Sequence, residues 1–165
     1  MAVALDAHMD NTAPSVVRIR AARRSDVPAI VRLLADDVLG ATREQPAEPL
    51  AQAYWDAFDA MNAQAGNELF VAEEDGEVLG CLQLCVIPGL SRLGLTRGQL
   101  EGVRVSSRQR GKRIGEALVL AAIDRSRALG CGVVQLTTDR SRVDAHRFYE
   151  RLGFEATHIG MKLTL

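Results

Sequence analysis

Apolar positions along this chain change their period several times, and each change marks an element. Residues 16–20 alternate apolar and charged side chains, the period of a strand with one buried face. From Val27 the spacing becomes helical. Val27, Ile30, Val31, Leu34 and Val38 share one stripe, Ser25 can cap it, and Pro28 is tolerated in its first turn. Residues 40–48 are a polar connection containing proline. A second helical stripe follows through Leu50, Ala53, Tyr54, Ala57, Phe58 and Met61; Trp55 falls off it, either lining a cleft or covering a neighbouring element.

Two apolar runs, 69–72 and 78–87, flank Glu73-Glu74-Asp75-Gly76-Glu77, and an Asp-Gly step in that setting predicts a hairpin. The second run is apolar on both faces, which predicts a central strand in a covered sheet. Pro88-Gly89 ends it, and residues 90–98 read as a loop rich in Gly and Arg. A strand is expected over 100–105. Ile114, Ala117, Leu118, Ala121 and Ala122 mark a helix ending near Gly130. A strand over 133–137 follows, then a short helix through Ala145, Phe148, Tyr149 and Leu152 closed by Gly153, and a last strand over 154–165. Residues 1–15 lack periodicity and read as a mobile leader, leaving 16–165 as one domain. The whole is an α/β sheet with helices on its faces.

Composition narrows the function. At 165 residues, 47% hydrophobic and 25% charged, the chain suits one ordinary globular domain. A formal net charge of −1 argues against a protein built to coat nucleic acid or an anionic membrane. Cys81, Cys85 and Cys131 cannot all pair with one another and sit beside apolar residues, so they read as small buried thiols in a reducing compartment. No CxxC or HExxH spacing occurs, so no metal is implied. The first residues carry no basic region before a long apolar stretch, so a cytoplasmic protein is expected.

The segment with most chemistry runs from Leu100 to Gly115: an extended strand, a cationic turn, then a helix start. Such a turn aims unpaired backbone N–H groups at one point, and the helix dipole adds positive charge there. Gly111 and Gly115 let a bulky anion approach the backbone, so a phosphate or pyrophosphate cradle is expected. Arg108, Arg110, Lys112 and Arg113 are either a solvated surface or part of that cradle. Four cations opposing the dipole of one helix start cost stability unless an anion compensates. A Walker A loop fails at Ser106 and Arg113, GxGxxG is absent, and the cluster is too brief and too poor in aromatics for nucleic acid.

Arg108-x-x-Gly111-x-Arg113-Ile114-Gly115 resembles the acyl-CoA pyrophosphate loop of the GNAT superfamily of N-acetyltransferases. It departs at Arg113, where that family usually has Gly or Ala, so the Arg113 side chain must turn outward for the loop to close. Ala145 to Phe154 resembles the family's C-terminal A-x-x-[FL]-Y-[EK]-x-[LM]-G-F signature. Arg142 stands where an Asn is frequent.

The resemblance implies a mixed, mostly antiparallel central sheet with a parallel splayed strand pair and helices on both faces. It implies acetyl-CoA as co-substrate, with the pantetheine between strands 100–105 and 133–137 and Gly102 as a bulge where the ladder opens. Cofactor contacts are then expected from Val103, Arg104, Val105, Arg108, Arg110, Gly111, Lys112, Arg113, Ile114 and Gly115, the Val103 N–H polarising the thioester oxygen. Tyr149 corresponds to the family tyrosine that often serves as general acid and is the first candidate for that role, the competing reading being an aromatic of the buried stripe beside Phe148. Glu101, on the strand leading to the oxyanion position, is the first candidate for general base, ahead of His158; His146 is expected to face solvent.

The acceptor is expected to be an amine of a small molecule or peptide, held by Tyr54, Trp55 and the 90–98 loop. By analogy the assembly is a homodimer. A non-catalytic acyl-CoA sensor or protein-interaction module is the competing reading. A nucleic-acid-directed enzyme would need a wider cationic surface.

Overall fold

The computed structural model describes residues 16–37 and 40–165, and its centre is the hairpin expected at Asp75-Gly76. Both turn residues take positive φ, 49° and 83°, the two-residue geometry that matches strand twist. The turn joins β2 (Asn67–Glu74) to β3 (Glu77–Ile87) in antiparallel register from Glu74↔Glu77 to Asn67↔Cys85. β1 (Arg18–Ala21) pairs with the outer edge of β2, and β4 (Arg97–Val105) runs antiparallel to β3 on the other side. β5 (Val133–Leu136) then pairs parallel to β4, so the sheet order is β1-β2-β3-β4-β5. The sheet is therefore mostly antiparallel, with one parallel pair.

Helices cover both faces. Ile114, Leu118, Val119 and Ala122 of α4 (Ile114–Ala128) pack on Ala72, Leu79, Leu82, Leu84 and Leu100. On the opposite face Ile30 and Leu33 of α1 (Val27–Ala35) pack on Val71 and Cys81. α2 (Gln52–Ala63) lies along β2, α3 (Ser91–Gly94) is a single turn before β4, and α5 (Val143–Arg151) follows β5. β3 is buried on both faces at Leu79, Cys81, Leu82 and Leu84, each side chain contributing roughly 1.5–3 kcal/mol by leaving water. Gly80 keeps that layer thin: a Cβ there would lie 2.8 Å from the Arg104 carbonyl oxygen and 3.0 Å from Leu118 Cδ1.

Two expectations change, and one lies outside the described residues. β4 begins at Arg97, so the end of the supposed 90–98 loop belongs to the sheet. The leader over 1–15 and Val38 lie outside the described residues. The last strand over 154–165 is absent: the segment makes no ladder, and Ile159 and Met161 are 82% and 94% exposed. Its alternation suits a strand, yet it forms no ladder with β5, although a Cβ at Gly160 would lie 3.6 Å from Thr137 Cγ2 just past that strand's end.

Candidate active site

β4 and β5 stay in register only from Arg97↔Val133 to Leu100↔Leu136, while β4 continues to Val105. The strands part there because β4 bulges. Cys81 faces Arg104 and Gln83 faces Glu101, so Gly102 and Val103 together oppose Leu82. Gly102 takes φ 58°, a left-handed conformation in which a side chain would be strained. The parted ends frame an open cleft lined by Leu100 to Arg104, Leu136 to Thr138, Arg142 and Tyr149. Ser106 N–H bonds to Leu79 C=O on the β3 side at 2.8 Å. By strand alternation the Val105 and Val103 amides then face the opening.

β4 runs through the turn Ser107–Gln109 into α4. Gly111 has φ 83°, and Arg113, the N-cap, sits at φ 60°, ψ 14°, a left-handed position where a glycine would cost less. The first helical bond runs from Ala117 N–H to Arg113 C=O, so the amides of Arg113, Ile114 and Gly115 precede the helical ladder. Arg113 turns outward, 80% exposed, and reaches Glu116 at 2.6 Å, which leaves those amides uncovered. Arg108, Arg110 and Lys112 are exposed around the turn. Ile114 contributes only its backbone, its side chain being buried in the core. Gly115 brings the helix start against the sheet: a Cβ there would meet Val105 Cγ2 at 3.4 Å and Phe148 at 3.5 Å. A diphosphate fits this arrangement of free amides and exposed cations.

Tyr149 belongs to both readings offered by its sequence. Its ring packs edge-on to Phe148 at 5.0 Å and Phe154 at 5.7 Å, and the residue also lines the cleft. Burial pushes its phenol pKa up, opposed in part by the positive charges of Arg142 and Arg104. Phe148 is core, as expected.

Arg104 is held from within. It donates to Val103 C=O at 2.9 Å and faces Asp37 at 3.5 Å, so its side chain is committed to α1's end rather than to a phosphate. Arg142, the N-cap of α5, reaches the same Asp37 oxygen at 3.5 Å, while Gly40 N–H donates to the other oxygen at 2.6 Å. Next to it, Asp36 accepts a hydrogen bond from the Ser107 amide at 2.6 Å. Neither aspartate was singled out from sequence, although two acids ending a helix oppose its dipole, and that conflict was readable.

Glu101 is exposed at the mouth of the cleft and accepts a hydrogen bond from Gln99 Nε2 at 2.9 Å. His158 is not brought there; it is exposed beside Thr157. His146 rests on the Asp139 carbonyl at 3.0 Å. Trp55 is covered by the Arg24 guanidinium at 4.7 Å, and Tyr54 bonds Gln45 and Glu44, so neither lines the cleft between β4 and β5. The Cys81 thiol is pushed up to about 12 by burial, which makes it inert packing rather than a nucleophile. Among the described residues no helix is long and apolar enough to cross a membrane.

Comparison with known proteins agrees with this geometry. The sequence model of the acetyltransferase (GNAT) family matches residues 30–154. A glucosamine 6-phosphate N-acetyltransferase of Trypanosoma brucei brucei is 31% identical over 131 residues, covering 78% of this chain and 86% of that protein. An aminoalkylphosphonate N-acetyltransferase of Salmonella typhimurium is 32% identical over 107 residues, 65% of this chain and 69% of that one. The crystal structure of a transcriptional regulator from Bacillus halodurans C-125 superposes with a TM-score of 0.89 at 45% identity, covering 91% of this chain and all 100% of that one. The chain belongs to the GNAT acetyltransferase family and is of the acyltransferase class.

Proposed function

We propose that the protein is an acetyl-CoA-dependent N-acetyltransferase that moves the acetyl group directly to a primary amine of a small molecule or peptide. The observation that carries this reading is the parting of β4 and β5, which gathers Glu101, the Val103 amide and Tyr149 around one cleft. The amide-lined start of α4 follows on the same chain segment and suits the diphosphate of CoA. Relatives that acetylate glucosamine 6-phosphate and aminoalkylphosphonates support a small amine as acceptor.

The chemistry then runs as follows. Glu101, directly or through a water, takes the proton that leaves the amine. The amine nitrogen bonds to the thioester carbon while the Val103 N–H stabilises the charge that builds on the oxygen, a donor worth about 3 kcal/mol in such sites. The C–S bond breaks, and Tyr149 supplies a proton to the departing thiolate. Burial keeps that phenol protonated at neutral pH, which suits an acid.

Thiol release from acetyl-CoA in the presence of an amine panel tests this reading. Tyr149→Phe should lower kcat roughly 10²-fold or more while calorimetry still detects CoA. A chain that binds CoA but turns over no amine would instead be an acyl-CoA sensor, the reading favoured by its likeness to the Bacillus halodurans transcriptional regulator.

A further inference from the structure

The α1 side of the sheet changes character at its lower end. Beneath α1 it is apolar, with Val71 and Cys81 packed on Ile30 and Leu33. On β3 the same face turns polar two residues further on, at Gln83, and on β2 four residues further on, at Asn67, beyond the apolar Leu69. Asn67 of β2, Gln83 of β3, Gln99 and Glu101 of β4 and Gln135 of β5 stand side by side in register, Asn67↔Cys85, Cys85↔Gln99 and Gln99↔Gln135 forming one row and Gln83↔Glu101 the next.

These side chains are bonded to one another. Gln135 Nε2 donates to Gln99 Oε1 at 2.8 Å, and Gln99 Nε2 donates to Glu101 Oε1 at 2.9 Å. Gln83 Nε2 donates to Asn67 Oδ1 at 2.9 Å. These bonds form two separate sets, Gln135–Gln99–Glu101 leading from β5 across β4 to a carboxylate that lines the cleft, and Gln83–Asn67 joining β3 to β2. The amides are half-buried and uncharged, unlike the Lys, Glu and Thr usual on a sheet face that simply meets water. Each also keeps unused capacity: an amide has two donors and two lone pairs, and Gln135 commits one N–H here while Gln83 commits none of its carbonyl.

Given the transferase reading of the preceding subsection, on which this inference rests, we infer that this amide floor is the acceptor subsite and that the acceptor is an amine bearing hydroxyl or amide groups, not a hydrocarbon amine. An amine nitrogen placed between Glu101 and the Val103 amide has the rest of its molecule lying over Gln99, Gln135 and Gln83. Groups that both donate and accept match amides that do the same. A hydrocarbon there would strip water from those amides and leave them unpaired, the arrangement by which buried polar sites reject apolar analogues. The Gln99 bond to Glu101 makes Gln99 a positioning residue as well.

The test is competition. The full chain receives acetyl-CoA with an equimolar mixture of 2-aminopropane-1,3-diol, ethanolamine, glycinamide, benzylamine, cyclohexylamine and isobutylamine, and acetylated products are counted by mass spectrometry per free base present. The polar set should be favoured by about tenfold or more. In the double variant Gln99→Met, Gln135→Met that ratio should collapse towards one, because any loss of Glu101 orientation slows both sets alike and cancels. Gln83→Met, which leaves the Glu101 contact untouched, should lower the ratio in the same direction. Calorimetric affinity for CoA should change less than twofold in each variant, which shows that it is folded. Products in equal yield from both sets, or a ratio unmoved by either variant, overturn the acceptor class and leave the transferase reading standing. No product from any amine overturns both.

Discussion

Neutralising Asp37 should disturb both the frame of the site and the acidity of its tyrosine. Asp37 joins the end of α1 to Arg104 on β4 and to Arg142 at the start of α5, at 3.5 Å each. At that separation and an effective dielectric constant of about 20, each pair attracts by about 5 kcal/mol before other terms. Desolvation of half-buried groups offsets much of this. The Arg142 side chain, 37% exposed, must be discounted further for solvent screening. A net cost of about 2–3 kcal/mol for Asp37→Asn is what remains, since asparagine keeps the shape and drops the charge. For a chain of this size that corresponds to a fall in melting temperature of roughly 5–10 °C.

The second effect has a sign that a merely structural role would not produce. With the carboxylate gone, two guanidinium charges beside Tyr149 lose their counter-ion and favour the phenolate, so the Tyr149 pKa falls. The chain has two tyrosines, so absorbance titration in a Tyr54→Phe background reads Tyr149 alone. The alkaline limb of kcat should move down with it. Asp36→Asn is the control: Asp36 holds the Ser107 amide at 2.6 Å and should leave the tyrosine titration where it was. A melting temperature and a phenol titration both unchanged in Asp37→Asn would refute the reasoning.

Four further outcomes follow from particular contacts. In the parent protein burial raises the Tyr149 pKa above the ordinary 10.0, so kcat should hold through neutral pH and fall only above that value; a limb from this group below it contradicts the assignment. Asp26, 7% exposed, accepts from Arg20 at 2.7 Å and from the Arg23 amide at 2.7 Å, and its pKa is held below the usual 3.8. Its stabilisation is therefore present above the unfolded value and lost as pH falls through the lower folded one, so acid melting of Asp26→Asn should be flatter than that of the parent over that window. Gly80→Ala, whose Cβ would meet a backbone oxygen at 2.8 Å, should cost about 1–3 kcal/mol in urea unfolding. Arg113→Gly relieves a left-handed residue at φ 60° and should raise the melting temperature without weakening CoA binding by calorimetry.

What the sequence revealed and what it concealed divide by distance along the chain. The Asp75-Gly76 hairpin, the α4 stripe and the turn at Gly111 are set by neighbours a few residues apart, and periodicity and turn chemistry report them directly. The strand expected over 154–165 failed because alternation describes one strand's faces and says nothing of the partner that must receive its hydrogen bonds. Tyr149 could not be divided between core and cleft by its position on a stripe, because a phenol ring can pack on Phe148 and Phe154 while the same residue lines the cleft. The aspartate that ties the site together was hidden for the same reason as the strand's partner: its arginines are remote in sequence.

A trace of it was nonetheless local. Asp36 and Asp37 follow the last turn of α1, where the helix dipole repels acids, and Arg142 and Arg113 stand at helix starts, where it repels cations. Three of these four misplaced charges meet a partner across or along the fold: Asp37 meets Arg142, and Arg113 meets Glu116. The fourth, Asp36, meets an amide of the turn leading into α4. Wrong-signed charges at helix ends thus mark positions whose compensation must come from elsewhere. In this chain one of them, Arg142, lines the cleft, and Asp37 ties it there to Arg104, which lines the cleft as well.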